Sequence, residues 1–397
     1  MDMLRDWADA VATHHAGQRD AALSTLSAWT YNDLELMQPF LEAFAGTPER
    51  NEDAAAALRR PRVSGRDRAA VRQEAQVRLG VHADAFRRRA AIFHTDAAML
   101  LDAPKVVAPL DHRRPIPYWA GRRTTRRVDV VSNDAEYRNT EYSNPHWEVA
   151  MDMLDAVSAP NDPFVAQWFE VIGIYLVEWR RYSDGLAHFD RARDLIEDEP
   201  GVMFAEGRLH EALAAPLMQN FVRVTAIAQG VPVIGIDDQR TELRRAEALL
   251  QKTLTRDPSR EEARLRLGHV IIQQQRWEEG LRQIQPLLEG SGHASITYYA
   301  HLFAGDAHLA LGRTDDARRS FERALELFPD AQAARLGLAA AMRIAGTRDD
   351  AIAALLPAIA QDPRPREDDP WWIYYDRNED AIAAALEQLR APYRGPQ

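Results

Sequence analysis

The chain has 397 residues, 46% of them apolar, so it can bury a sizeable core, and its formal net charge is −11. That charge excludes general attraction to nucleic acid or to an anionic membrane, since both need excess positive charge. Cysteine is absent, which excludes disulfides, thiolate catalysis and cysteine-based metal centres.

Residues 1–10 (MDMLRDWADA) carry Asp2, Asp6 and Asp9 and no apolar stretch, so they are not a signal peptide as they stand. A soluble protein is expected, either cytoplasmic or exported behind a leader that precedes these residues. The basic residues are almost all arginine, with lysine only at Lys105 and Lys252, which reads as the codon bias of a GC-rich, bacterial genome. Over 1–102 the pattern suggests degenerate helical hairpins. Met3, Trp7, Ala10, Val11 and His14, then Gly17, Ala22, Leu26 and Trp29, follow a helix–glycine–helix rhythm. A second pair is expected over 66–79 and 82–101, with 46–62 as a loop.

The segment 103–145 breaks the helical period with Pro104, Pro109, Pro115, Pro117 and Pro145, and reads as a long irregular insertion. Within it Arg113, Arg114, Arg122, Arg123, Arg126 and Arg127 are interleaved with Tyr118 and Trp119. An anion site is conceivable there; the blander reading is pairing with carboxylates of this acidic chain. Helix is expected to resume over 146–157.

From 164 to 363 the chain repeats. One unit reads Phe169, Ile172, Gly173, Leu176, Tyr182, Gly185, Phe189 and Ala192. The corresponding Ala246 lies 61 residues after Gly185, so one repeat carries an insertion around 200–240. It is placed across a helix from about 202 to 229, then the loop Gly230–Asp238, then a helix starting near Thr241. After Ala246, Leu250 and Pro258 come Leu267, Gly268, Ile271, Trp277, Gly280, Ile284 and Leu287. Next come Ala304, Gly305, Gly312, Ala317, Phe321, Ala324 and Pro329, and 34 residues further Leu338, Ala339, Gly346, Ala351, Leu355, Ala358 and Pro363. Small residues, an aromatic plug and a terminating proline at a 34-residue period resemble the tetratricopeptide repeat (TPR). The resemblance implies an all-α solenoid of antiparallel helix pairs over 146–363. The longest apolar run, Val171–Val177, falls far short of the roughly 20 residues that span a bilayer, so no membrane insertion is expected.

In that family the inner surface is lined by the first helix of each pair, and a protein partner binds there. Carried onto this sequence, the lining is Glu262, Leu265, His269 and Ile272, then Tyr299, Leu302, Asp306 and Leu309, then Ala333, Leu336, Ala340 and Arg343. The row suits an apolar helix or extended segment oriented by Asp306 and Arg343; the rival is that it meets the protein's own N-terminal half. The family's carboxylate clamp of lysine and asparagine is missing. Residues 364–397, with Trp371, Trp372, Tyr374 and Tyr375, are expected to cap the solenoid's exposed end, followed by a helix over about 378–390.

No catalytic signature is present: there is no G-x-S-x-G or H-E-x-x-H, and Gly230–Gly235 lacks the lysine of a phosphate loop. Glu206 and His210, with Glu211 adjacent, supply too few ligands for a tight metal site, and no metal or cofactor is expected. His301 and His308 read as packing residues. The expectation is a protein-interaction scaffold; the rivals are an enzyme or ligand-binding protein with its site beside 103–145, and a structural subunit of a larger complex.

Overall fold

The computed structural model describes scattered residues from 10 to 22 and from 84 to 99, then 145–155, 157, 162–216, 218–220, 223, 236–359, 369–374 and 379–393. The arginine-rich segment 103–144, most of the expected hairpin over 1–30, the helix 66–79 and most of the loop Gly230–Asp238 lie outside the described residues. Among the described residues there is helix and no strand. The labelled helices are α1 (Pro145–Asp155), α2 (Pro163–Glu178), α3 (Tyr182–Leu195), α4 (Pro200–Ala214), α5 (Gln239–Arg256), α6 (Glu261–Gln273), α7 (Trp277–Leu288), α8 (Ala294–Ala310), α9 (Thr314–Leu327), α10 (Gln332–Ile344), α11 (Arg348–Ile359) and α12 (Glu379–Arg390).

Two compact units result: one holds 1–165, 190–197 and 384–397, the other 166–189 and 198–383. In the first, Asp96 is buried and accepts hydrogen bonds from His14, at 2.7 Å, and from Arg390. One carboxylate thus joins residues from both ends of the chain. Beside it, His94 and His146 meet Nδ1 to Nδ1 at 2.8 Å. Burial keeps both imidazoles neutral, lowering His94 with help from His146 and His14, and taking His146 down to about 3.

The second unit is a stack of helix pairs, and its geometry comes from where side chains are missing. A Cβ at Gly173 would lie 2.4 Å from the Phe189 ring, one at Gly268 2.1 Å from Ile284, and one at Gly305 2.5 Å from Phe321. In each case the glycine on the first helix faces a large side chain sixteen positions on, in the second helix. The shared offset fixes the repeat register. Phe321 is held from the other side by Gly337 of the next pair, so its fully buried ring is sandwiched between two backbones.

The turns keep the same register. Arg180, Gln275, Gly312 and Gly346 sit at the junctions between first and second helices with φ of 56°, 64°, 72° and 88°. Glycine occupies this left-handed conformation without steric cost, whereas arginine and glutamine adopt it at some expense.

The insertion falls within 200–240. Gly207 faces Leu250, 43 positions on rather than sixteen, so the surplus of 27 lies between the two helices of one pair, α4 and α5. Helix α4 ends at Ala214 and helical residues resume at 216, 218–220 and 223, so the helix expected over about 202–229 is interrupted at Ala215. The cause is local: Pro216 disfavours helical conformation in the residue before it, and Ala215 takes φ −57°, ψ 138°. Helix α5 then starts behind Asp238, whose side chain accepts from the Thr241 amide.

Gly305→Ala and Gly337→Ala are each expected to destabilise the protein by roughly 1–3 kcal/mol, because the added methyl meets a ring that has no free side to move into. Urea denaturation followed by circular dichroism measures this; two neutral substitutions would mean that the sandwich at Phe321 is not where the repeats close.

Candidate functional site

The first helices of successive pairs, α4, α6, α8 and α10, supply the inner row, and a short segment of the chain's own C-terminal region lies on it. Residues Pro370–Ile373 form a single 3-10 turn. Asp369 starts the turn by accepting from the Trp371 amide at 3.0 Å, and Pro370 at the first position has its φ already set.

The groove holds this turn by polar contacts at both ends. At one end the Asp369 carboxylate accepts from the Tyr298 hydroxyl at 2.9 Å and from the Ala333 amide at 2.8 Å, and the Tyr299 hydroxyl donates to the Pro370 carbonyl. Burial together with the facing Asp369 carboxylate pushes the Tyr298 hydroxyl well above the usual phenol range, so it stays a donor.

At the other end Tyr374 enters a buried ionic cluster. Its hydroxyl donates to Glu211 Oε1 at 2.7 Å, and its carbonyl accepts from Arg266 Nη2 at 3.2 Å. The Arg266 guanidinium also lies 4.5 Å from the Tyr374 ring centroid. Glu211 binds Arg266 Nη1 through its second oxygen at 2.8 Å and His269 Nδ1 through its first, also at 2.8 Å. Arg266 reaches on to Glu262 at 2.8 Å, and on the neighbouring helices Arg208 pairs with Glu178 at 2.7 Å. Burial alone would raise the Glu211 carboxyl; Arg266, His269 and the Tyr374 hydroxyl overcome it and hold the group at about 2.

Between the two ends the rings interlock. His269 stacks on Phe303 with centroids 4.0 Å apart, and Tyr374 meets His269, Phe303 and Tyr299 edge-on at 5.3, 5.4 and 4.9 Å. Trp371 stacks on Tyr374 at 5.8 Å. The preferred edge-to-face and offset geometries fix the turn's orientation as well as adding buried area.

This arrangement divides the residues expected to line the groove. Leu265, His269, Ile272, Tyr299 and Leu302 are buried, and the four apolar or aromatic ones other than His269 share one apolar cluster with Tyr374. Glu262 is tied to Arg266. Asp306, Leu336 and Arg343 are exposed and Leu309 is half-buried, so they form the open part of the row. Asp306 is reached by water, yet enclosure by its surroundings raises its carboxyl to about 6 against the pull of His269.

The C-terminal aromatics, expected to cover the last repeat, thus contribute Trp371 and Tyr374 to the inner row instead. Part of the expected open groove is filled by the chain itself, from its C-terminal side. Glu211, Arg266, Asp369 and Tyr374 are the contacts that sequence reasoning missed as a group.

The carboxylates near His210 separate in the same way. His210 Nδ1 lies 2.6 Å from Glu242 and its other nitrogen 3.9 Å from Glu206, while Glu211 turns away to Arg266. Burial opposes a charge on His210, but the bonds to Glu206 and Glu242 raise it above its ordinary value. The grouping is ion pairing between α4 and α5. Among the described residues no three histidine, aspartate or glutamate side chains are placed to hold a metal ion, and no helix is long and apolar enough to cross a membrane.

Residues 304–364 match the family model for the tetratricopeptide repeat. Among curated proteins nothing matches the chain. Similar solved structures include MamA from AMB-1, at 18% identity over 50% of this chain and 99% of that one, with a TM-score of 0.35. MamA from MSR-1 is 18% identical over 49% of this chain and 95% of that one, with a TM-score of 0.35. A further MamA crystal structure is 15% identical over 58% of this chain and 97% of that one, with a TM-score of 0.32.

Glu211→Ala is expected to cost roughly 3–5 kcal/mol, because it strands the buried Arg266 charge. Acid acts on the same group. Since its folded pKa of about 2 is below the ordinary 4.5, its contribution is complete above pH 4.5 and is lost as pH falls towards 2. Over that window wild type should lose on the order of 3 kcal/mol more than Glu211→Gln. Parallel denaturant titrations from pH 5 to pH 2 measure the difference, and superimposable slopes would show that Glu211 is not the titrating group.

Proposed function

We propose that this chain, which carries tetratricopeptide repeats, is a protein-interaction scaffold that takes up polypeptide segments of a partner on the inner helix row of 260–345. The observation that carries this reading is the occupied half of that row. A six-residue stretch of polypeptide already sits there, held through its carbonyls, one carboxylate and two rings by side chains of α4, α6 and α8 and a backbone amide of α10. A surface with donors spaced for backbone carbonyls and an apolar floor is suited to holding protein.

A partner's first contacts belong to the open part of the row: Asp306, Leu309, Leu336 and Arg343. Leu336 is 53% exposed on α10, whereas Leu302 is only 5% exposed and out of a partner's reach. The pair Asp306 and Arg343 offers opposite charges to orient a bound segment.

Affinity capture from the source organism with wild type and with the double variant Leu336→Glu, Arg343→Glu tests this reading. Both positions are exposed, so helical content and melting temperature should be unchanged. A protein retained by wild type should be depleted at least tenfold by the variant, equivalent to about 1.4 kcal/mol of lost affinity. Equal retention by the two proteins would remove the inner row as the binding surface.

A further inference from the structure

The insertion between α4 and α5 leaves the repeat and returns to it through a neck of described residues. Gln219 Nε2 donates to the Leu213 carbonyl at 2.9 Å and to the Asp237 carbonyl at 3.0 Å, and Gln239 Nε2 donates to the Ala214 carbonyl at 3.1 Å. Water competes for these bonds, so each holds the neck only weakly. The buried contact runs through Glu242, which has no exposed surface. Its Oε1 accepts from the Asp237 amide at 2.8 Å and from Arg245 Nη1 at 3.3 Å, and its Oε2 lies 2.6 Å from His210 Nδ1. Arg245 also reaches the Asp237 carboxylate at 2.6 Å.

On the opposite side of the ring, His210 Nε2 faces Glu206 Oε1 at 3.9 Å, one turn earlier on α4. The imidazole therefore stands between two carboxylates, and all three groups are buried. An imidazolium has an N–H for each of them. A neutral imidazole has one N–H, and its other nitrogen turns a lone pair towards a carboxylate oxygen. Loss of the proton thus replaces an attraction by a repulsion, in surroundings where neither is well screened.

We propose that His210 is a pH-sensitive clasp: as a cation it ties α4 to α5 through Glu206 and Glu242 and closes the neck, and on losing its proton it lets the neck open. The sign follows from its neighbours. Burial opposes the charge, but Glu206 from its own helix and Glu242 from α5 lift His210 above its ordinary 6.5. The clasp is complete below pH 6.5 and is lost as pH rises through the higher value of the folded state. Arg245, the cation on Glu242, keeps its charge throughout, so the change belongs to the imidazole.

Amide exchange of the full chain from pH 6 to pH 9, corrected for the base-catalysed intrinsic rate, tests this. Protection of the amides over 237–242, that of Asp237 above all, should fall by about tenfold per pH unit while folded His210 keeps a proton that the opened neck releases, and then level off. Protection in α7, which contains no histidine, should stay flat. In His210→Gln, which keeps a donor for Glu242 and cannot titrate, the 237–242 profile should be flat as well. Should that variant lose helical content, Glu206→Gln replaces it: with one carboxylate gone, the fall should level off at lower pH than in wild type. A flat wild-type profile, a fall that survives in His210→Gln, or a levelling point that Glu206→Gln leaves unmoved would each overturn the proposal.

Discussion

The structure depends on how closely the two helices of a pair can approach. Where Gly173, Gly268 and Gly305 leave no side chain, Phe189, Ile284 and Phe321 fill the space against bare backbone, and that contact sets the crossing of each pair. Dense interiors tolerate little variation of this kind, so one repeated contact produces one repeated angle. The repeated angle turns the first helices to a common side. An inner row then exists because α4, α6, α8 and α10 present equivalent faces, and a segment as short as 369–374 can touch all four.

On that row the protein places its most costly group. Taking Glu211 and Arg266 out of water carries a desolvation penalty that their attraction only partly recovers, so a buried pair is weak support for stability. Its effect here is selective. Each oxygen of Glu211 has its partners, and the bonding set is completed by the Tyr374 hydroxyl, which a phenylalanine or leucine could not provide. An apolar groove would accept many aromatic segments in many registers; one with a carboxylate and a guanidinium at its floor accepts a tyrosine in one.

The repeat was legible in the sequence because its determinants are local and periodic. Small residues, plug and terminator recur at about 34 positions, and the helices of the repeats lie where that rhythm places them, with α5 beginning at Gln239 behind Asp238. The end of α4 at Ala214 is legible too, since Pro216 disfavours helical conformation in the residue before it. The destination of the C-terminal aromatics was not legible. Trp371 and Tyr374 follow no helical period, and the bond that places Tyr374 joins residues 163 positions apart. Glu211 stood out only beside Glu206 and His210, because the partners that bury a glutamate are distant in sequence.

An aspartate–proline start should have marked 369–374 as an ordered turn rather than a loose cover, since those two residues satisfy and pre-set the first positions of a helix. Order in the turn and openness beside it have a joint consequence. A segment that is pre-formed and locked at both ends resists displacement by anything offering fewer bonds, which protects the groove from casual apolar contacts. Leu336 remains uncovered beside it, so apolar surface stays available on α10 without any bond of the turn being broken.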